Sequence, residues 1–387
     1  MDDIDMDAWS PQHEDDEHED DFEDYYDDYD QHEILQEIDF DEQDEADDSL
    51  HTFTGHTGEL YTVACSPTDA NLVATGGGDD RGFMWRIGQD DMPFELQGHD
   101  DSVSSVAFST DGQLLASGSF DGNIRVCNIA LGGPNSILEG PEEGIEWVRW
   151  HPRGHVVLAG SEDSSVWMWN ADNNTFMNTF LGHHGSVTCG DFTPDGRLIC
   201  TGSDDATLRI WDPRNAQSIH VIEGHPYHTD GLTCLTISLD STRALTGSKD
   251  HSARIVNIIT GNVVTSLIAH TDSIECVGFS ASATWVATGG MDNNLIIWDL
   301  QQSTPRSICE HEDGVTSLLW LGQHRYVATG CVDGKVRIWD SLSGECVRTF
   351  SGHTDAIQSL SASFNGEYLV SASSDGTARV FGIAEFN

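Results

Sequence analysis

A unit of about 42 residues recurs eight times between His56 and Phe381, and that period constrains the fold more tightly than composition does. Each unit opens at or near a Gly-His pair: Gly55-His56, Gly98-His99, Gly140-Pro141, Gly182-His183, Gly224-His225, Ala269-His270, Glu310-His311 and Gly352-His353. Each closes on Trp-Asp or a worn version of it, at Trp85-Arg86, Cys127-Asn128, Trp169-Asn170, Trp211-Asp212, Val256-Asn257, Trp298-Asp299, Trp339-Asp340 and Phe381-Gly382. The spacing stays between 41 and 45 residues. A unit this short cannot bury its own apolar face, so the copies must pack on one another.

Each unit reads as short strands joined by tight turns. In the second, Val103 to Phe108 alternates, Asp111-Gly112 turns, Leu114 to Ser117 is a second strand, Asp121-Gly122 turns again and Asn123 to Asn128 is a third. A fourth strand leads to the next Gly-His. Asp-Gly and Asn-Gly pairs are hairpin signals, and they recur at Asp195-Gly196, Asp333-Gly334, Asn365-Gly366 and Asp375-Gly376. The pattern predicts an all-β fold, a single eight-bladed β-propeller over residues 49–387. The chain ends on the third strand of the last unit, Thr377 to Gly382, while Ser-Leu-His-Thr-Phe-Thr at 49–54 matches Cys-Val-Arg-Thr-Phe-Ser at 346–351. The N-terminal strand is therefore expected to complete the last blade and remove the open sheet edges.

Residues 1–48 carry 25 Asp or Glu and no Lys or Arg, so they are expected to form a disordered acidic tail. Trp9, Phe22, Tyr25, Tyr26 and Tyr29 lie among those acids, a mixture that suits either a solubilising tail or a clamp on a basic chain. The whole chain has 66 acidic and 17 basic residues, a formal charge of -49. Phosphate binding needs Lys and Arg to displace counterions, so this balance excludes nucleic acid as a direct partner and favours a basic protein. The N-terminus lacks the basic-then-apolar order of a signal peptide, and no apolar run reaches the roughly 18 residues of a membrane helix. Nine Cys without a C-x-x-C pair read as free thiols of a reducing compartment, with Cys65, Cys189, Cys234 and Cys276 at matching places in the first strands. These features predict a monomer of the cytoplasm or nucleus.

Several His, Asp and Ser or Thr residues recur at triad-like spacings, as in His183, Asp205 and Thr201 with Trp211, or His353, Asp375 and Ser371 with Phe381. A catalytic triad would not be copied around a ring. Units running from Gly-His to Trp-Asp resemble the WD-repeat family, and that resemblance implies a buried hydrogen-bonded tetrad of His, turn Asp, Ser or Thr and Trp holding each blade. The turn Asp is present in every unit, as Asp79, Asp121, Asp163, Asp205, Asp250, Asp292, Asp333 and Asp375. Pro141, Cys127, Val256 and Phe381 break the set, and their blades are expected to be held less tightly. No G-x-x-x-x-G-K-[ST], H-E-x-x-H or zinc-spaced Cys/His cluster is present. The reading is a non-enzyme with no cofactor and no metal.

In a propeller the loops leading into the first strands and the turns after the second strands gather at one mouth of the central channel. The lead-in loops here carry Glu59, Asp100, Asp101, Glu142, Glu143, Asp230, Asp272, Glu312, Asp313 and Asp355, with no Lys or Arg among them. Glu146 and Glu275 lie just inside, and Glu162 and Asp204 at the tight turns, against one Lys249. Arg153, Arg197, Arg243 and Arg325 fall in turns of the opposite face, and Arg125, Arg209, Arg254, Arg337 and Arg379 in third strands. Such sorting focuses a negative potential on one mouth and speeds capture of a basic segment. Tyr61 and Phe120 are placed to add apolar or cation-π contacts.

Eight Gly-His to Trp-Asp repeats behind an acidic, aromatic-bearing tail resemble the angio-associated migratory cell protein family, which includes a fungal chaperone dedicated to one basic large-subunit ribosomal protein. The resemblance implies that the acidic mouth receives the basic N-terminal segment of a newly made ribosomal protein, shields it and hands it to the maturing subunit. A general WD-repeat adaptor, whether a signalling scaffold, a ubiquitin-ligase receptor or a histone-binding propeller, is the alternative.

Overall fold

The computed structural model describes residues 46–89, 92–130, 132, 136–282, 284–322 and 325–386. The expectations for the tail at residues 1–45, its aromatics included, lie outside the described residues. Within them the chain forms 32 strands in eight four-stranded antiparallel sheets, with one short 3-10 helix at Ala384–Phe386. Blade one comprises Leu60–Cys65, Leu72–Gly77, Gly82–Arg86 and Phe94–Leu96, in that order from the inside out.

The innermost strands form the channel wall. Leu60–Cys65, Val103–Phe108, Ile145–Trp150, Cys189–Phe192, Leu232–Ile237, Ile274–Phe279, Val315–Leu321 and Ile357–Ala362 each pack against the next, and the last packs against the first. The second strands are covered on both faces by neighbouring blades, which is why their sequences are small and apolar: all six residues of Leu72–Gly77 and of Leu114–Ser119 are buried. One glycine in these strands allows the blades to approach. A methyl group on Gly76 would meet Val103 of the next blade at 2.6 Å, and the same holds for Gly118 with Ile145, Gly289 with Val315 and Gly330 with Ile357.

Closure follows the expected route. His51–Phe53 pairs with Ala378–Gly382, His51 lying opposite Val380 and Phe53 opposite Ala378. Phe53 also stacks across the seam on Trp85 of blade one, with ring centroids 4.8 Å apart and planes within 4°. Phe53, Val63, Trp85, Val370 and Val380 share one apolar cluster, so the seam is an ordinary blade-to-blade interface. Among the described residues, contacts with the last blade include Asp47 and Asp48, ahead of the expected strand at 49–54. Asp48 N–H donates to the Ser351 carbonyl at 3.0 Å, Asp48 Oδ2 accepts from Ser351 N–H at 2.9 Å, and Asp47 is paired with Arg379.

The tetrads have a fixed direction. In blade four the Trp211 indole N–H donates to Thr201 Oγ1 at 2.8 Å, and Thr201 lies 2.8 Å from His183 Nε2. An indole nitrogen only donates, so the Thr201 hydroxyl proton goes to Nε2 and His183 Nδ1 keeps its proton for Asp205 at 3.1 Å. Asp205 also accepts the backbone N–H of His184 and of Thr207. His56, Thr75, Asp79 and Trp85 repeat the set in blade one, and His270, Thr288, Asp292 and Trp298 in blade six. Burial holds His56, His99, His183 and His228 below the ordinary histidine range, each partly offset by its Asp. These imidazoles are neutral structural donors.

Two blades, five and seven, depart from the predicted arrangement, and blade three shows the break expected at Pro141. In blade five the ring histidine is His228, bonded to Asp250 Oδ2 at 3.0 Å and Thr246 at 3.0 Å, while His225 of the predicted Gly224-His225 opening is exposed. Extra residues in that loop shift the frame, and the Tyr227 hydroxyl, 3.0 Å from Thr246, takes the place that Val256 leaves empty. In blade seven His311 does not bond Asp333. Its Nδ1 donates to the Cys309 carbonyl at 3.1 Å, and Asp333 takes Arg337 at 2.6 Å. In blade three Pro141 and Ala159 stand where other blades have His and Ser or Thr, and the Trp169 indole donates to the Glu139 carbonyl instead.

All nine cysteines are free. Cys189, Cys234 and Cys276 occupy matching places in their blades, two residues after Val187, Leu232 and Ile274, but Cys65 does not. It ends Leu60–Cys65, and Thr62 holds the matching position.

Candidate functional site

The tetrad bonds fix which loops share a face. Each His lies in a lead-in loop and each Asp in the turn between second and third strands, so those two sets of loops meet at one end of the channel. A second ladder of backbone bonds runs around this rim. Gly78, Phe120, Glu162, Asp204, Lys249, Met291, Val332 and Ser374 donate their N–H groups to the carbonyls of Glu59, Ser102, Gly144, Ser186, Gly231, Ser273, Gly314 and Ala356 at 2.8 to 3.0 Å. Eight copies of one bond define eight equivalent rim positions.

A one-residue bulge just inside the rim decides what the first strands present. Strand register shifts around Tyr61, Ser104, Glu146, Thr233, Glu275, Thr316 and Gln358, each the second residue of its strand. A bulge takes one residue out of the ladder and re-aims it. Where that residue is Ser or Thr it clasps the next blade: Ser104, Thr233 and Thr316 donate to the carbonyls of Ile145, Ile274 and Ile357. Thr188 does the same to Leu232 at 2.6 Å. In blades three and six the position holds Glu146 and Glu275, which replace a clasp with a carboxylate. Glu146 Oε1 accepts from Ser186 at 3.0 Å, and Glu275 Oε1 from Ser273 at 2.6 Å.

With His228 as the blade-five reference, the second residue after the ring position is acidic in six lead-in loops: Asp101, Glu143, Asp230, Asp272, Asp313 and Asp355, all exposed. Asp101, Asp272 and Asp355 each accept the N–H of the following residue at 2.7 Å, which orders the carboxylate without burying it. Asp100, Glu142 and Glu312 stand one residue earlier and Glu59 one later, all exposed. Blade four has His184-Gly185 here and no carboxylate.

The side chains of blades three to six influence one another electrostatically. Burial pushes the Glu146 carboxyl above its ordinary range; Ser186 opposes this, Glu162 and Asp204 add to it and Lys249 lowers it. Lys249 Nζ pairs with Asp204 Oδ1 at 2.8 Å, and Asp204, then Asp230 and Glu275, hold its pKa up. Glu162 and Asp204 thus act on Glu146, while Asp204, Asp230 and Glu275 act on Lys249. Phe120, 37% exposed, adjoins Glu162: a methyl on Gly144 would meet its ring at 2.6 Å and Glu162 Oε2 at 2.8 Å. Tyr61 is half-buried with its hydroxyl over Gly78, so it mainly packs.

Some rim groups were not anticipated. Lys335 and Arg337 approach Glu312 Oε2 at 3.7 and 3.8 Å, and Met291 and Val332 occupy the rim positions of blades six and seven. Lys335 follows the turn Asp by two residues, a spacing that placed it near the mouth. Arg149 and Asp191, on neighbouring innermost strands, interact; burial raises the Asp191 carboxyl and Arg149 offsets part of that. On the opposite face Arg197 is 3.5 Å from Asp195 and Arg325 is 2.7 Å from Asp340. The third-strand arginines serve their own blades, Arg254 Nε donating to the Pro226 carbonyl at 3.1 Å and Arg125 to that of Gly98. Among the described residues no group of three or more His, Cys, Asp or Glu could hold a metal ion.

Comparison with known proteins adds to this geometry. The model of the nucleolar protein 10-like, N-terminal domain matches residues 141–377, and the WD domain, G-beta repeat matches residues 47–86 and 92–128. Human angio-associated migratory cell protein is 41% identical over 63 residues, which are 16% of this chain and 14% of that protein. The matched stretch thus spans a small part of that relative's length. Sqt1 of Chaetomium thermophilum bound to the N-terminus of the ribosomal protein L10 superposes with a TM-score of 0.80 at 26% identity, covering 87% of this chain and 100% of that one. Sqt1 of Saccharomyces cerevisiae, at 21% identity and a TM-score of 0.79 over 87% of this chain and 99% of its own, shares the fold.

Proposed function

The chain is a WD-repeat β-propeller of the nucleolar protein 10-like, N-terminal domain family with homology to angio-associated migratory cell protein, and from that premise we propose that it works by binding a basic client segment at its acidic mouth. The observation that carries the reading is the ring of exposed carboxylates at Asp101, Glu143, Asp230, Asp272, Asp313 and Asp355, with Glu162 and Asp204 at the rim turns and Glu146 and Glu275 just inside. A concave mouth of one sign over low-dielectric blades attracts an oppositely charged chain and raises its rate of capture. The lead-in loops and turns are tied to one another by the rim ladder, so the carboxylates are placed before a client arrives, which lowers the ordering cost of binding.

The client class we assign is a newly made basic ribosomal protein of the large subunit, engaged through its N-terminal segment, with the propeller as its chaperone. The Sqt1 complex with the L10 N-terminus supports that choice of class. The action is shielding: carboxylates occupy the client's Arg and Lys side chains until ribosomal RNA replaces them. Acid-to-Lys reversal at Glu143, Glu146 and Glu162 together tests the reading. The full-length triple variant should melt like wild type and lose binding of a ribosomal-protein N-terminal peptide; unchanged affinity would remove the mouth from the account.

A further inference from the structure

Lys249 and Lys335 are the only lysines in the sequence, and both lie at the mouth. Lys249 sits among the carboxylates of blades four to six. It projects from the rim of blade five back to Asp204 on the rim of blade four, 2.8 Å from Oδ1, with both side chains part-exposed at 49% and 39%. Asp204 itself packs against the next lead-in loop, its Oδ1 lying 2.5 Å from the position a Gly231 side-chain carbon would take. Asp230 and Glu275 also act on the ammonium. A primary ammonium on a flexible stem thus occupies the place where a client's cation would meet three acids.

We propose that Lys249 is a built-in competitor that holds the Asp204 subsite until a client guanidinium or ammonium displaces it. The inference rests on the mouth being the client site, and adds the residue that sets the threshold there. An isolated basic side chain gains little by exchanging with Lys249, because one ion pair is broken for each one made. A segment with several cations gains the surrounding carboxylates as well and wins the exchange. Lys249 therefore selects clusters of basic residues over single ones. Lys335 is an internal control: it carries the same charge on the same face but lies at blade seven, 3.7 Å from Glu312 and away from Asp204.

The test uses the full chain and a lysine-free peptide of alternating Arg, Gly and Ser. Lys249→Gln should tighten binding by about fivefold, the size expected for releasing one part-exposed ion pair, whereas Lys335→Gln should change it by less than about twofold. Asp204→Asn should weaken binding more in the Lys249→Gln background than in wild type, because only there is Asp204 free of its competitor. Equal tightening by the two lysine variants, with equal Asp204→Asn penalties in both backgrounds, would reduce Lys249 to one charge in a general field and overturn the proposal. A wild-type protein that binds the peptide no better than the Glu143, Glu146 and Glu162 triple reversal would instead overturn the mouth as client site, and this proposal with it.

Discussion

His311 and Asp333 hold the histidine and aspartate positions of blade seven but do not bond: His311 Nδ1 faces the Cys309 carbonyl at 3.1 Å, and Arg337 takes the carboxylate at 2.6 Å. Burial and the nearby Arg337 charge push the His311 pKa down to about 4. A histidine with a lowered folded-state pKa favours the folded chain fully above its unfolded value near 6.5, and that contribution is lost as pH falls from about 6.5 toward about 4. Melts of the wild type between pH 7.5 and 4.5 should show this loss, up to about 3 kcal/mol from the one residue. His311→Gln should flatten the profile in that window; an unchanged slope would place the acid sensitivity elsewhere.

His155 works in the opposite direction. Its Nδ1 lies 2.6 Å from Asp172 of its own blade and its Nε2 2.9 Å from Asp111 of blade two, and these carboxylates, Asp172 first, raise its pKa. The contribution of a raised histidine is complete below about 6.5 and fades as pH rises through the folded value. His155→Gln should therefore lower the melting temperature at pH 5.5 more than at pH 8.5. An equal loss at both pH values would show that the ring packs but does not carry charge.

The tetrads predict uneven sensitivity to one repeated residue. Asp205 accepts from the buried His183 as well as from the His184 and Thr207 amides, so Asp205→Ala orphans several donors and should cost about 3 kcal/mol or more. Asp163 has no histidine above it. It accepts from the Glu142 and Ser165 amides, and Asp163→Ala should cost about 1 kcal/mol. Denaturant midpoints of the two variants decide the matter, and equal losses would mean the histidine adds nothing to blade four.

The limits of the sequence follow the same physics. Strand periodicity, Asp-Gly turns and the match of 49–54 to 346–351 made the ring and its closure legible, because each depends on residue type at fixed spacing. Blade five was misframed since Gly224-His225 copies the repeat's opening pair, while His228, three residues on, makes the bonds. Side-chain reach was also invisible. Nothing in the spacing told that Arg337 would displace His311 from Asp333, or that bulges at Glu146 and Glu275 would turn those carboxylates out of the ladder.

Truncation should resolve where the ring begins. A chain starting at Ala46 keeps the Asp47 pairing with Arg379 and the two Asp48 bonds to Ser351 and should melt like the full chain. Starting at Ser49 removes those contacts and should cost about 1 kcal/mol. Starting at His56 removes His51–Phe53, unpairs Ala378–Gly382 and strips Phe53 from Trp85, a loss of about 3–5 kcal/mol with self-association through the open edge. Scattering and melting curves on the three chains check the order, and a chain from His56 that stays monomeric and stable would mean that another segment seals blade eight.

Binding at the mouth should be separable from the charge of the molecule as a whole. Arg153 and Arg197 project from the opposite face, Arg197 with a side chain 82% exposed. Reversing both to Glu makes the chain four charges more negative, yet those charges lie a ring's thickness from the mouth, beyond the roughly 8 Å over which charge acts at physiological salt. The double variant should bind a basic peptide as wild type does, whereas the Glu143, Glu146 and Glu162 reversals should abolish binding. Wild-type affinity itself should fall steeply between 50 and 300 mM salt, since the exposed carboxylates are screened. If the arginine reversals tightened binding as much as the glutamate reversals weakened it, attraction would follow net charge, and the clustering of Glu146, Glu162, Asp204, Asp230 and Glu275 around one mouth would have no part in recognition.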